Sequence, residues 1–143
     1  MCIRDRDLFS AFTVADYAFV KSLLFARKNL SEEEFRMFAK MFNAFSSSFP
    51  NPDILVYFHR GVDELMSNIS KRGRGYEKYI QEDYLQTIQD SYFEYFRNIL
   101  SFPLLIVDVS NVDFVSKDIH YETVEGLLKK QYLPGVHRIS LSI

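Results

Sequence analysis

Residues 52–77 have the sequence PDILVYFHRGVDELMSNISKRGRGYE, and this stretch decides the fold of the chain. Its apolar run Ile54–Phe58 lacks polar alternation, which is typical of a strand buried on both faces of a parallel sheet. After a turn at Arg60–Gly61, apolar residues recur at helical spacing from Val62 to Ile69. A buried strand that leads into an amphipathic helix is the unit from which α/β folds are built.

Outward from this stretch, the same periodicities predict four more helices and one more buried strand. The helices are expected at Ala15–Asn29, Ser31–Phe45, Glu82–Leu100 and Tyr121–Lys130, and the strand at Leu104–Val109. Ser31 and Glu34 form a capping-box pattern at the start of the second helix. Arg138–Ile143 alternates weakly and is either an edge strand or a tail. Because two strands are too few for a stable parallel sheet, a third is concealed in the chain or lies upstream, and we favour the upstream position.

Composition limits the class of protein. Of 143 residues, 48% are hydrophobic and 25% charged, which indicates a globular chain of one domain or part of one. A net charge of −2 argues against broad attraction to nucleic acid or anionic lipid. No apolar run has the length of a membrane span, no cleavable signal is apparent, and the single Cys excludes internal disulfides. We therefore expect a cytoplasmic protein with no nucleic-acid or membrane partner.

The first six residues, MCIRDR, differ in character from the rest of the chain. We expect Met1–Arg6 to be a sequencing-adapter scar and residues 7–143 to be the C-terminal portion of a single domain. A genuine N-terminus that is frayed is the alternative.

The sharpest chemistry lies in the segment Lys71–Glu77, which we call the basic segment. Arg72 and Arg74 are separated by a glycine at a helix end, so their guanidiniums can turn onto phosphate oxygens and bind them bidentately. Glu77 can accept from a sugar hydroxyl or orient an arginine. Two alternatives remain open: a solvated basic end that complements the helix dipole, and an RNA-binding loop.

Two further groups are candidates for ligand binding. Asp113 and Phe114 follow a buried strand, where parallel sheets bind ligands, and could hydrogen-bond and stack on a purine; turn chemistry explains them equally well. Asp16 and Lys21 place an acid and a base about one turn apart, although the helix dipole alone favours an acid there. The scattered His59, His120 and His137 lack ligand spacing, so we expect no metal site.

The phosphate-binding loop of nucleotide-dependent kinases is missing from the sequence. The glycines stand at 61, 73, 75, 126 and 135, and none belongs to GxxxxGK[ST] or GxGxxG. The chain therefore carries no cradle of amides and lysine for the β- and γ-phosphates.

Taken together, four segments resemble the deoxynucleoside kinase family, in particular its bacterial deoxyadenosine/deoxyguanosine kinase branch. They are ADYAFVKSLLFARKNL, NPDILVYFHRGVDELMSNISKRGRGYE, YLQTIQDSYFEYF and LLIVDVSNVDF, which together extend over about residues 15–114. The resemblance implies an α/β fold of the P-loop kinase type, a three-layer parallel sheet with flanking helices, incomplete at the N-terminus. Residues 7–143 would then be the C-terminal portion of one deoxynucleoside kinase domain, with the P-loop and the general base upstream.

The resemblance also implies roles for the candidate residues. The basic segment matches the lid over the triphosphate, so Arg72 and Arg74 would neutralise charge on the transferred γ-phosphoryl group. Glu77 matches the acid that binds the deoxyribose 3′-hydroxyl, and Asp113 with Phe114 matches the loop that holds the adenine of the donor. Asp16, Tyr17 and Lys21 would belong to the binding site for the deoxynucleoside substrate. Tyr17, or Asp16 if the match slips by one residue, occupies the place of an arginine of the family. Lys21 lies near a base-contacting position where the family often has Asp.

From the resemblance, the parent protein is expected to transfer the ATP γ-phosphate to the 5′-hydroxyl of a purine deoxynucleoside, with Mg²⁺, as a homodimer. We expect the 143-residue chain by itself to be inactive. The alternative from another class is a non-catalytic helical protein-interaction module that uses Phe- and Tyr-rich helix faces.

Overall fold

A computed structural model describes residues 13–15, 20–46, 51–99, 101–110, 112–114 and 116–141. The chain forms two compact units, Met1–Pro50 and Asn51–Ile143. The first contains α1 (Val20–Asn29) and α2 (Glu32–Ser46). The second contains, in order, β1 (Leu55–His59), α3 (Val62–Arg72), a 3₁₀ turn (Gly75–Glu77), α4 (Glu82–Phe96), β2 (Pro103–Asp108), α5 (Asp118–Leu128) and β3 (Gly135–Ser140).

The three strands form one parallel sheet in the order β1-β2-β3. In the register, Leu104 of β2 lies between Leu55 of β1 and Val136 of β3. Side chains of β3 alternate between half-buried and exposed, as an edge strand requires. The open choice for Arg138–Ile143 is thus decided in favour of an edge strand, which begins earlier, at Gly135. Our preference for a third strand upstream was wrong in that a third strand lies within the chain.

Helices cover both faces of the sheet in three layers, as expected. Alternate residues of β2 face opposite sides. On one side, Leu104 and Ile106 pack with Phe96 of α4 and the buried Ile99. On the other, Leu105 and Val107 pack with Leu127 of α5, together with Val109, Val112 and Ile139. Burying each aliphatic side chain stabilises the fold by about 1.5–3 kcal/mol, so β2 is the centre of the core.

The boundaries of two helices differ from the predicted ones. α4 ends at Phe96 instead of Leu100, because the amides of Asn98 and Ile99 bond to carbonyls three residues back and tighten the chain into turns. Ile99 is buried all the same. α5 begins at Asp118, earlier than the predicted Tyr121. None of the helices described is long and apolar enough to cross a membrane.

In the first unit the predicted capping box is confirmed. The Ser31 hydroxyl and the Ser31 amide both donate to Glu34 Oε2, at 2.7 and 2.9 Å, and the Glu34 amide donates to Ser31 Oγ at 3.4 Å. The predicted helix start at Ala15 was wrong, because Thr13–Ala15 is not helical; residues 16–19 lie outside the described residues. Met41 and Phe45 of α2 are largely exposed, although both are apolar.

Candidate functional site

The basic segment reverses direction at Gly73. This residue ends α3 in the left-handed conformation, with φ 63° and ψ 22°, and its amide donates to the carbonyls of Ile69 and Ser70 at 3.3 and 3.2 Å. Glycine adopts positive φ without the steric cost that other residues meet. The chain then enters the 3₁₀ turn, in which the Glu77 amide donates to the Arg74 carbonyl at 3.0 Å. The reversal brings the end of α3 back towards Glu77.

Glu77 lies between two arginines. Its Oε2 is 3.5 Å from Arg72 Nη2, and its Oε1 is 3.6 Å from Arg74 Nη1. The carboxylate is buried, whereas both guanidiniums are about half exposed, at 50% and 54%. One buried negative charge is thus balanced by two positive charges that reach the solvent, which leaves the cluster with a net charge of +1.

Both the arginines and Glu77 retain groups that can form further hydrogen bonds. A guanidinium has five N–H donors, and Arg74 uses one of them towards the Tyr76 hydroxyl, at 3.2 Å. Within the described part of the chain, Glu77 Oε2 accepts no hydrogen bond, and its ion pair with Arg72 is long. The half-exposed arginines can therefore offer N–H donors to an anion. Glu77 Oε2 is buried, so it can accept from a hydroxyl only when a neighbouring side chain moves aside.

A second candidate region is the loop between β2 and α5, which we call the β2–α5 loop. Phe114 is partly exposed, and its ring centroid lies 6.0 Å from that of Phe58, a β1 side chain that is also exposed. Asp113 Oδ1 accepts from the Ser116 amide at 3.1 Å. Exposed aromatic rings beside a carboxylate are suited to stacking on and hydrogen-bonding a planar base.

Side chains from two other elements hold this loop. Arg60, just after β1, donates from Nη2 to the Val112 carbonyl at 2.5 Å, and the Asp113 amide donates to His120 Nδ1 of α5 at 2.9 Å. The Gln89 side chain of α4 donates to the Arg60 carbonyl at 2.6 Å. Gln89 and His120 are both buried. Because buried polar groups need partners, these bonds fix the loop against the core.

Asp108 ends β2 beneath the same loop. Its carboxylate accepts from the Ser110 amide at 2.9 Å, and this hydrogen bond, with a second from the Ser110 hydroxyl, lowers the pKa of Asp108; the charge of His59 adds to the effect. A negative charge is therefore kept at the carboxyl end of the central strand.

The structure brings some of the predicted site residues together and leaves others apart. Arg72, Arg74 and Glu77 form one cluster, and Asp113 and Phe114 are neighbours on the β2–α5 loop of the same unit. Lys21 is exposed on α1 in the first unit, and Asp16 with Tyr17 lies outside the described residues. Over the ranges that the structure describes, no three His, Cys, Asp or Glu side chains are grouped to hold a metal ion.

Sequence reasoning missed Arg60, Gln89 and His120. For two of them a signal existed. Gln89 lies four residues after Leu85 and His120 four residues before Val124, so both stand on the apolar stripes of their helices. A polar residue in an apolar stripe predicts a buried polar group with a specific partner.

The parallel sheet with helices on both faces is consistent with a P-loop kinase-type fold. The family model for deoxynucleoside kinase matches residues 2–131. The chain therefore belongs to the deoxynucleoside kinase family.

Curated relatives carry the same family name. The chain is 26% identical over 121 residues to a deoxyguanosine kinase of Bacillus subtilis, a match that covers 82% of the chain and 58% of the relative. It is 24% identical over 118 residues to a deoxyadenosine kinase of Lactobacillus acidophilus, covering 73% and 55%. A deoxyguanosine kinase of L. acidophilus is 31% identical over 78 residues, covering 52% and 34%. The chain thus spans less than two thirds of the length of these relatives. No comparison supports the alternative of a non-catalytic interaction module.

Proposed function

We propose that the whole protein to which this chain belongs is a deoxynucleoside kinase, which transfers the ATP γ-phosphoryl group to the 5′-hydroxyl of a purine deoxynucleoside. Family membership supports phosphoryl transfer to a deoxynucleoside with ATP as donor. The purine preference follows the printed names of the relatives, deoxyguanosine kinase and deoxyadenosine kinase.

The observation that carries the proposal is the cluster of Arg72, Arg74 and Glu77. Phosphoryl transfer depends on positioning and on neutralising the charge of the transferred group, for which two half-exposed guanidiniums are suited. In this assignment Arg72 and Arg74 contact the γ-phosphoryl oxygens. Glu77, whose Oε2 accepts no hydrogen bond from the described residues, takes the 3′-hydroxyl of the deoxyribose.

The remaining assignments concern the donor base and the acceptor nucleoside. Asp113 and Phe114 hold the adenine of ATP, supported by the exposure of Phe114 and its contact with Phe58. Asp16, Tyr17 and Lys21 are assigned to the acceptor side on the family resemblance alone. Mg²⁺, a homodimer and a cytoplasmic location belong to the same proposal. The described residues offer no cluster of His, Cys, Asp or Glu for the metal.

The proposal is tested by measuring ATP-dependent formation of deoxynucleoside monophosphate. The protein translated from the complete gene is compared with its R72A and R74A variants. We expect each variant to lose about 10³-fold or more in kcat, the effect of removing an arginine from the transferred phosphoryl group. Arg97, exposed just after α4, provides the matched control, and R97A should retain wild-type turnover. Full activity in R72A and R74A would overturn the assignment.

The role of Glu77 has its own readout. A 2′,3′-dideoxynucleoside lacks the hydroxyl that Glu77 is proposed to bind. In the wild type we expect KM to rise by about 10- to 100-fold for the dideoxy substrate, since a hydrogen bond to a charged group is lost. In E77A, which has no side-chain acceptor, this difference between substrates should largely disappear. If the difference persists unchanged in E77A, another group binds the 3′-hydroxyl.

A further inference from the structure

We propose that Arg60 and His120 are positioning residues that together fix the orientation of the adenine-binding part of the β2–α5 loop. The inference rests on the proposed function in one respect, the assignment of Asp113 and Phe114 to the donor base. Neither Arg60 nor His120 touches the base in this scheme. They act on the backbone that carries the two contacting side chains.

The two hydrogen bonds hold a single peptide group. The carbonyl of Val112 and the amide of Asp113 belong to the same planar unit, so Arg60 binds one end of it and His120 the other. We call this arrangement the peptide clamp. Rotation of the unit about its flanking bonds would break both hydrogen bonds at once. The clamp therefore sets the direction in which the chain leaves Val112.

Each half of the clamp is anchored in the core. His120 is 3% exposed and stands in the first turn of α5, where its own amide donates to the Lys117 carbonyl at 3.1 Å. Arg60 is held through its carbonyl by the buried Gln89 of α4. Val112, on the carbonyl side of the clamped peptide, is itself buried. Helices from both faces of the sheet thus converge on one peptide group.

His120 takes part in the clamp as a hydrogen-bond acceptor. Because Nδ1 accepts the Asp113 amide, the clamped ring is the neutral tautomer with the proton on Nε2. An asparagine places its side-chain oxygen near the position of Nδ1 and can accept the same bond. A leucine of similar size cannot, and it leaves the Asp113 amide without its partner.

The clamp affects binding of the base because Asp113 and Phe114 directly follow the clamped peptide in the chain. The clamped peptide is directly bonded to Asp113, and Phe114 comes next, so its orientation decides where both side chains project. Holding the loop in the bound orientation reduces the entropic cost of binding the base. Loss of the clamp should therefore weaken contacts to adenine and leave contacts to phosphate at the basic segment unchanged.

The test compares two probes on the ¹⁵N-labelled protein translated from the complete gene by chemical-shift titration. ATP reports on base and phosphate together, and inorganic tripolyphosphate reports on phosphate alone. The variants are H120L and H120N, with H137L as a control that removes a histidine bonded to the Leu133 carbonyl outside the clamp. We expect H120L to bind ATP about three- to tenfold more weakly, the effect of one lost buried hydrogen bond, with tripolyphosphate affinity unchanged. H120N and H137L should behave like the wild type.

Several outcomes would overturn the inference. Wild-type ATP affinity in H120L would show that the clamp does not act on the base, and an equal loss for tripolyphosphate would show a merely structural role. An H120N variant as weak as H120L would show that the acceptor is not the relevant property. If H120L does not fold, R60M and R60K supply the same comparison from the carbonyl end, with loss of ATP affinity expected for R60M only. If ATP shifts the Gly73 and Gly75 amides of the wild type but not the Phe114 amide, the assignment of the loop in the proposed function fails, and the inference fails with it.

Discussion

Arg72 and Glu77, five positions apart, face each other across the Gly73 turn with 3.5 Å between Nη2 and Oε2. Arg74 reaches the other oxygen of the same carboxylate at 3.6 Å. Because these distances are long for charge-assisted hydrogen bonds and the guanidiniums are half exposed, each pair is weak and easily exchanged for another partner. The net positive charge of the cluster is therefore available to bind an anion.

Removal of the Glu77 charge should strengthen anion binding. In E77Q neither guanidinium is attracted to a carboxylate at residue 77, so an added anion no longer competes with that charge. We expect inorganic tripolyphosphate to bind about two- to fivefold more tightly, the effect of losing one weak ion pair whose arginine is half exposed. The affinity is measured by following the Gly73 and Gly75 amides in an NMR titration. E122Q makes the same change of charge at an exposed position of α5 and should have no effect. An equal gain in E122Q would mean that net charge alone is responsible.

A substitution at Gly73 should lower the stability of the fold because of the positive φ of this residue, and not because of a steric clash. A Cβ at Gly73 or at Gly75 meets no atom within 4 Å, but only Gly73 of the two has positive φ. We expect G73A to lower the free energy of unfolding by about 1 kcal/mol, the cost of a left-handed conformation for a residue with a Cβ. G75A should change it by less than about half as much. Urea denaturation of the two variants makes the comparison, and equal losses would contradict it.

The capping box should make α2 sensitive to acid. Hydrogen bonds from the Ser31 hydroxyl and then from the Ser31 amide lower the pKa of Glu34 below its ordinary value of 4.5. A carboxylate whose pKa is lower in the folded state stabilises that state above about pH 4.5, and this contribution is lost as the pH falls through the lowered value. We expect helix content, followed by far-UV circular dichroism, to fall in this range. In S31A the pKa of Glu34 should move back towards 4.5, as measured by NMR titration of its carboxyl carbon. An unchanged pKa would contradict the contact.

At alkaline pH, the ionisation of Tyr57 should lower the free energy of unfolding. Burial, with a smaller contribution from Tyr92, raises the pKa of Tyr57 to about 12. An unfolded tyrosine ionises near pH 10, so the folded state binds the proton more tightly, and its stability falls as the pH rises from about 10 to 12. In Y57F the free energy of unfolding should decline less steeply over this interval. Equal slopes for the two proteins, measured by urea denaturation at a series of pH values, would refute the assignment.

The order of the elements could be predicted because its signals are local. The continuous apolar run at Ile54–Phe58 and the 3.6-residue periodicity after Gly61 each lie within a short window, and both β1 and α3 formed there. The end of α4 could not be predicted, because the tightening after Phe96 depends on how Ile99 enters the core. β3 was ambiguous because apolar and polar residues alternate only weakly in its sequence, and the apolar Val136 takes an exposed position.

The candidate site was predictable only where its residues are close in sequence. Arg72, Arg74 and Glu77 fall within one turn of chain, so their proximity follows from local geometry. The peptide clamp joins Arg60 to Val112, and this contact exists only because β1 pairs with β2. A short window of sequence carries no information about which strands pair. The polar residues Gln89 and His120 on apolar helix stripes indicated only that each has some buried hydrogen-bond partner.

The register of the sheet also has a consequence for how the chain reaches its native state. Leu55 pairs with Leu104, and Leu104 with Val136, so neither strand pair is joined by a short hairpin. Each pairing must close a long loop before it gains any hydrogen bond, which makes such sheets slow to form, on the order of milliseconds to seconds. During synthesis β1 cannot pair with β2 until β2 has left the ribosome. The helices α3 and α4 between the two strands are made before that pairing can form.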